Sequence, residues 1–120
     1  MLPAGEAVAA TPGPVASYGF GEGTGSTTGD STGNGHTGTL SGPTWTAAGK
    51  NGNALSFDGV NDWVTVPDKD DLDLATEVTL EAWVYPTTTN SIWRTAVAKE
   101  QTGGITYALF PNSSVGRPHG

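Results

Sequence analysis

The chain has 120 residues, 18 of them glycine, with 12 Asp and Glu against 5 Lys and Arg and no cysteine, a net charge of −7. That length supports one domain, whose single modest core would cover about two-thirds of the unfolded surface. The acid balance argues against nucleic acid and anionic membrane surfaces, the missing thiols exclude disulfides and thiolate metal sites, and cations or neutral ligands such as sugars remain compatible.

The opening "MLPAGEAVAATPGP" lacks the basic start and apolar stretch of a signal peptide. Its Ala, Pro and Gly content reads residues 1–13 as an interdomain linker. Helix signals are poor throughout, because Gly, Thr and Pro interrupt every window. Strand signals recur at short intervals, the pattern of an all-β sandwich. "PVASYGF" (14–20) is the first, followed by a Gly, Ser and Thr loop over 21–38. "TLSGPTW" (39–45) holds a short strand broken at Pro43.

"NALSFD" (53–58) and "DWVTVP" (62–67) flank the turn "GVN" and predict a β-hairpin. Leu55 and Phe57 share one face of their strand, and Val64 and Val66 share one of the next. The turn needs a positive φ that Gly59 or Asn61 can supply, and Asp58 and Asp62 bracket it as acceptors for backbone N–H groups. Asp58, Asn61 and Asp62 are therefore read as turning the chain rather than as a chemical site.

"DKDDLDLAT" (68–76) is a polar connection with room for one helical turn. "EVTLEAWVYP" (77–86) is the strongest predicted strand, with Val78, Leu80, Ala82 and Val84 on one face and Thr79, Glu81, Trp83 and Tyr85 on the other. "SIWRTAVAK" (91–99) and "GITYALFP" (104–111) complete the readable strands, and "NSSVGRPHG" has little pattern. No apolar run approaches the roughly 18 residues of a membrane span.

Four stretches in order, "VASYGFGEG", "DSTGNGHTG", "ALSFDG" and "VTLEAWV", resemble the LamG-like jelly-roll domain of the concanavalin A-like lectin/glucanase superfamily. The resemblance covers residues 14–86 and extends less distinctly to about residue 110. It implies an all-β, concanavalin A-like jelly-roll sandwich of antiparallel sheets over residues 14–120. The family's later Trp-x-His, Tyr-x-Asn-Gly and Asp-Asp/Glu-x-Arg-x-Tyr segments are not in this chain. The sandwich is therefore expected to be the N-terminal portion, incomplete at the C-terminus. The apolar face of Leu55, Phe57, Val64, Val66, Val78, Leu80 and Val84 is then expected to stay open.

Several local matches carry no chemistry. "GDSTG" (29–33) fits a nucleophile elbow and "GNGHTG" (33–38) a dinucleotide loop, but neither has the strand before it and helix after it that those sites require. "DKDDLD" lacks the Gly and Glu of an EF-hand loop at the positions of Asp73 and Thr79. His36 and His119 sit in loops and are read as solvated side chains. The glucanase relatives place their carboxylates at E-x-D-x-x-E spacing, whereas Glu77 and Glu81 are four apart with Thr79 between them. A glycosidase pair is missing, and the chain is read as non-catalytic.

Two candidate sites remain. Asp30, Ser31 and Asn34 offer hard oxygens within one Gly-rich loop, and Glu22 supplies a second carboxylate. The superfamily often holds a structural Ca²⁺ near such a loop, so calcium is the expected cofactor. Glu81, Trp83 and Tyr85 share a strand face, and Trp93 and Tyr107 can add to it as rings that stack on sugars. The competing reading buries these rings in the second sheet. The resemblance implies a recognition module for glycan or a protein surface. It would belong to a larger exported bacterial protein, secreted or held at the cell surface beside further domains. Alternatives are a glycan-active enzyme domain and a purely structural envelope domain.

Overall fold

The chain order in the computed structural model, which describes residues 12–88 and 94–111, is five short strands, a single 3₁₀ turn and a hairpin. The strands are β1 (Thr27–Thr28), β2 (Gly38–Ser41), β3 (Thr44–Gly49), β4 (Gly52–Ser56) and β5 (Trp63–Thr65). The 3₁₀ turn spans Asp70–Leu72, and β6 (Val97–Gln101) and β7 (Gly104–Leu109) follow. Every ladder among the described residues is antiparallel. The chain divides into two compact units, Met1–Asp73 and Leu74–Gly120.

In the first unit β2 is the centre of a three-stranded sheet ordered β1-β2-β5, and β3 pairs with β4 separately. The break between β2 and β3 falls at Gly42 and Pro43, where Gly42 has φ 95°. Left-handed backbone followed by an imino residue ends a ladder. A bulge between Thr46 and Gly49 bends β3, and Trp45 faces Leu55 across the pair.

The predicted hairpin between 53–58 and 62–67 does not form. β4 pairs back onto β3, and β5 pairs with β2 through Leu40↔Val64 and Ser41↔Trp63. The reason lies in the intervening turn. Asp58 Oδ1 accepts the Val60 N–H at 2.8 Å and the Asn61 N–H at 3.3 Å, and Asp62 Oδ2 accepts the Asp58 N–H at 2.8 Å. Side-chain carboxylates close this turn in place of a cross-strand ladder. Gly59 takes the left-handed conformation, φ 76°.

"PVASYGF" forms no ladder either. Phe20 stands at φ 51°, an uncommon conformation for a bulky residue, and the Val15 carbonyl and the Ser17 N–H and carbonyl are bonded by the loop around Asp30 instead.

In the second unit β6 and β7 form a two-residue hairpin closed at Gln101↔Gly104, with Gly103 at φ 89°. The stretch 77–86, predicted as the strongest strand, belongs to no ladder. Alternation supplies two faces, but a strand also needs a hydrogen-bonded neighbour, and among the described residues β6 and β7 pair with each other.

Among the described residues no hydrophobic side chain is fully buried. Leu55, Val64, Val66 and Leu80 are half-covered, while Phe57, Val78 and Val84 are exposed. The fully buried side chains are polar, Thr28 and His36. The described residues are all-β and antiparallel, and their fully buried side chains lie in β1 and in the polar loop that follows it.

Candidate functional site

Two places carry the residues that the sequence singles out, one in each unit. In the first, the Gly-rich loop folds around the Asp30 carboxylate. Asp30 Oδ1 accepts the backbone N–H groups of Ser17 and Thr32, both at 3.0 Å. The Thr32 hydroxyl lies 2.8 and 2.7 Å from the two oxygens, and Oδ2 accepts the His36 N–H at 3.3 Å. Partial burial works to raise its pKa, but the Thr32 hydroxyl and the N–H groups of Thr32, Ser17 and His36 outweigh it and hold the carboxyl far below the usual range.

The same loop is stitched to residues 15–17. Ser31 N donates to Ser17 O at 2.8 Å, the Ser31 hydroxyl to the same oxygen at 3.1 Å, and Asn34 Nδ2 to Val15 O at 2.8 Å. Glu22 Oε1 accepts the Gly29 N–H at 2.7 Å and the Thr28 hydroxyl at 3.2 Å, and the Gly29 bond chiefly lowers its pKa.

His36 corrects the expectation of a solvated side chain, because it is fully buried. Its Nε2 lies 2.9 Å from Asp71 Oδ2, in the 3₁₀ turn. A carboxylate only accepts, so Nε2 carries the proton. Nδ1 is buried with no hydrogen-bond partner. The Tyr18 hydroxyl donates to His36 O at 2.6 Å; burial first, and then the Asp30 charge, push its pKa up to about 12. Lys69 Nζ completes the clasp by donating to Asn34 O at 3.2 Å and Gly35 O at 3.0 Å.

A Ca²⁺ shell needs about six to eight oxygens with lone pairs turned inward. Here both Asp30 oxygens accept protein donors, Glu22 is turned to Gly29 and Thr28, and the Ser31 and Asn34 side chains donate outward. As hydrogen-bonded in this structure the set does not fit that shell, and the calcium expectation rests on the resemblance alone. Equal melting temperatures in EDTA and in millimolar Ca²⁺ are the expected outcome; an upward shift with Ca²⁺ would show that an ion displaces these donors.

In the second unit, Trp83 is 78% and Tyr85 92% exposed, and Glu81 beside them is exposed as well. The reading that buries these two rings in a sheet is thereby corrected. Tyr107 sits on β7 and lines a shallow apolar cleft of about 260 Å³ with Val78, Leu80, Ala108 and Leu109. Val78 and Leu80 thus meet β7 beside the cleft, and Tyr107 belongs to this apolar side. Trp93, His119 and residues 1–11 of the expected linker lie outside the described residues.

Sequence reasoning missed Tyr18, Thr32, His36, Lys69 and Asp71. An Asp-x-Thr pair in a Gly-rich loop is a local turn signal that points to Thr32. Nothing local connects His36 with Asp71, which are 35 positions apart. No helix among the described residues is long and apolar enough to cross a membrane. No family model, curated protein or solved structure matches the chain.

Proposed function

We propose that this chain is a non-catalytic recognition module, binding glycan or a protein surface through the Glu81–Trp83–Tyr85 strip, within a larger exported bacterial protein. The observation that carries the reading is the exposure of Trp83 and Tyr85, 78% and 92%. A large ring held in water is costly, and one that presents an apolar face beside a carboxylate suits the C–H faces and hydroxyls of a sugar. The resemblance to LamG-like domains suggests the class of function, and the exposed rings support this strip as its surface.

A glycan array, followed by calorimetric titration of the best hit, tests this. Trp83→Ala and Tyr85→Ala should each weaken binding about tenfold, a loss of order 1.4 kcal/mol, with unchanged circular dichroism. Phe57→Ala, in the first unit, should leave affinity unchanged. No hit on the array, or equal affinities for all three variants and the parent, would remove the strip as a binding surface.

A further inference from the structure

Glycine follows a side-chain amide or carboxyl at three described places, Asn34–Gly35, Asn51–Gly52 and Asp58–Gly59. In such a pair the glycine nitrogen can reach the preceding Cγ, because no side chain stands in the way. We propose that Asn51 is a site of self-modification, where the chain converts its own amide to a mixture of aspartate and isoaspartate and so opens the tip of the β3–β4 hairpin.

The reaction consumes only water. The Gly52 nitrogen gives up its proton and forms a bond to Asn51 Cγ. The Cγ–Nδ2 bond breaks, the departing nitrogen takes up a proton in place of the one lost, and ammonia leaves. A five-membered succinimide has then closed. Water adds to one of its two carbonyls. Attack at Cγ gives aspartate. Attack at the Asn51 backbone carbonyl gives isoaspartate, whose main chain runs through Cβ and Cγ and is one methylene longer. Either way OH replaces NH₂, and the new carboxylate adds one negative charge to the −7.

The structure separates the three places. Asn34 is exposed but tied. Its Nδ2 donates to Val15 O at 2.8 Å, its N–H to Thr32 Oγ1 at 3.2 Å, and its carbonyl accepts from Lys69 Nζ at 3.2 Å. Turning its Cγ onto the Gly35 nitrogen disrupts these bonds. Asp58 offers a carboxylate, a poor electrophile, and its Oδ1 is engaged by the Val60 and Asn61 N–H groups. Asn51 is exposed at the hairpin tip, and no side-chain hydrogen bond holds it among the described residues. Gly52 stands at φ 106°, and a Cβ there would meet nothing within 4 Å, so the space around the attacking nitrogen is open. The bulge between Thr46 and Gly49 sets the tip apart from the regular ladder and leaves Gly49↔Gly52 as its closing pair. A tip held in this way opens locally at low cost.

The product acts on that pair. A Cβ on Gly49 would meet the Gly52 and Asn53 carbonyl oxygens at 2.6 and 2.7 Å, so the two strands meet there without room to spare. A longer main chain at residue 51 changes the span of the two-residue turn, and turn length fixes hairpin register.

The folded chain is aged in mildly alkaline buffer, with a parallel sample in urea. Peptides between Trp45 and Leu55 and between Phe20 and Leu40 are followed by mass spectrometry, with fragmentation that distinguishes isoaspartate from aspartate. In the folded chain Asn51 should convert at least about tenfold faster than Asn34, the factor that two hydrogen bonds of ordinary net strength place on the reactive form. In urea the two rates should converge, because glycine follows both. The isoaspartyl form, isolated by chromatography, should melt below Asn51→Asp, which carries the same charge on an unlengthened main chain. Equal rates in the folded chain, a gap that persists in urea, or an isoaspartyl form that melts with Asn51→Asp would overturn the proposal.

Discussion

Asp30→Ala should cost this protein more stability than any other single substitution. The carboxylate accepts from Ser17, Thr32 and His36, and so joins three points of the chain that share no ladder. Removing it strands those N–H groups in a loop with nowhere else to donate. Residues 15–36 should lose their fixed conformation, and the thermal melt should broaden and move down. Asp30→Asn keeps the shape but offers an NH₂ group where donors already converge, so it should fall between.

The pH dependence has a definite sign. Asp30 is held far below, and Glu22 below, the ordinary carboxylate range in the folded state. Their contribution is therefore complete above the unfolded values near pH 4, and is lost progressively as pH falls further. Tyr18 runs the other way: its folded pKa is raised to about 12, so its contribution holds below about pH 10 and is lost as pH rises through 12. Urea melts across pH 2–7 check the acid limb. In Asp30→Ala that limb should flatten, and an unchanged limb would show that another carboxylate governs it.

Gly42→Val should be the second most damaging change. Gly42 stands at φ 95°, where a β-branched residue is strained by roughly 1–3 kcal/mol. A Cβ at this position would also overlap Asp62 Oδ1, with the Asp62 Cα at 3.3 Å blocking retreat. Overpacking of that kind adds about 1–3 kcal/mol. At roughly 4–8 °C per kcal/mol for a domain of this size, the melting temperature should fall by at least about 10 °C. Gly52→Val is the control. Its φ is 106°, but a Cβ there meets nothing within 4 Å, so only the strain is charged. Equal losses at the two sites would show that Asp62 moves aside without cost.

The turn around Gly59 was legible because its determinants are local. Asp58, Gly59 and Asp62 each act within a few residues, and their side-chain bonds and positive φ are found where the spacing places them. The β2–β3 break at Pro43 was legible for the same reason. Strand pairing was not. Leu55 meets Trp45 and Val64 meets Leu40, choices made by competition between ladders that no short window records. The run 77–86 shows the limit of periodicity: alternation marks two faces but says nothing of a neighbour. His36 was misread because burial in a polar nest depends on Asp71, Tyr18 and Asp30 arriving from elsewhere. Alternation placed Trp83 and Tyr85 on one face of a strand, and it could not record that both rings stand exposed.

Among the described residues the fully buried side chains are Thr28 and His36, and hydrocarbon is half-covered or exposed, which weakens the thermal signature of an ordinary domain. Unfolding exposes little new apolar surface and much hydrogen-bonded polar surface, and these change the heat capacity in opposite directions. The heat-capacity increment per residue is then well below the usual 12–15 cal/mol/K, roughly, for globular proteins. Stability consequently declines in a nearly straight line from the cold upward, without the broad dome that an oily interior imposes. Cooling then strengthens the protein over a wider range than it would an ordinary domain, and the enthalpy of unfolding varies correspondingly little with temperature.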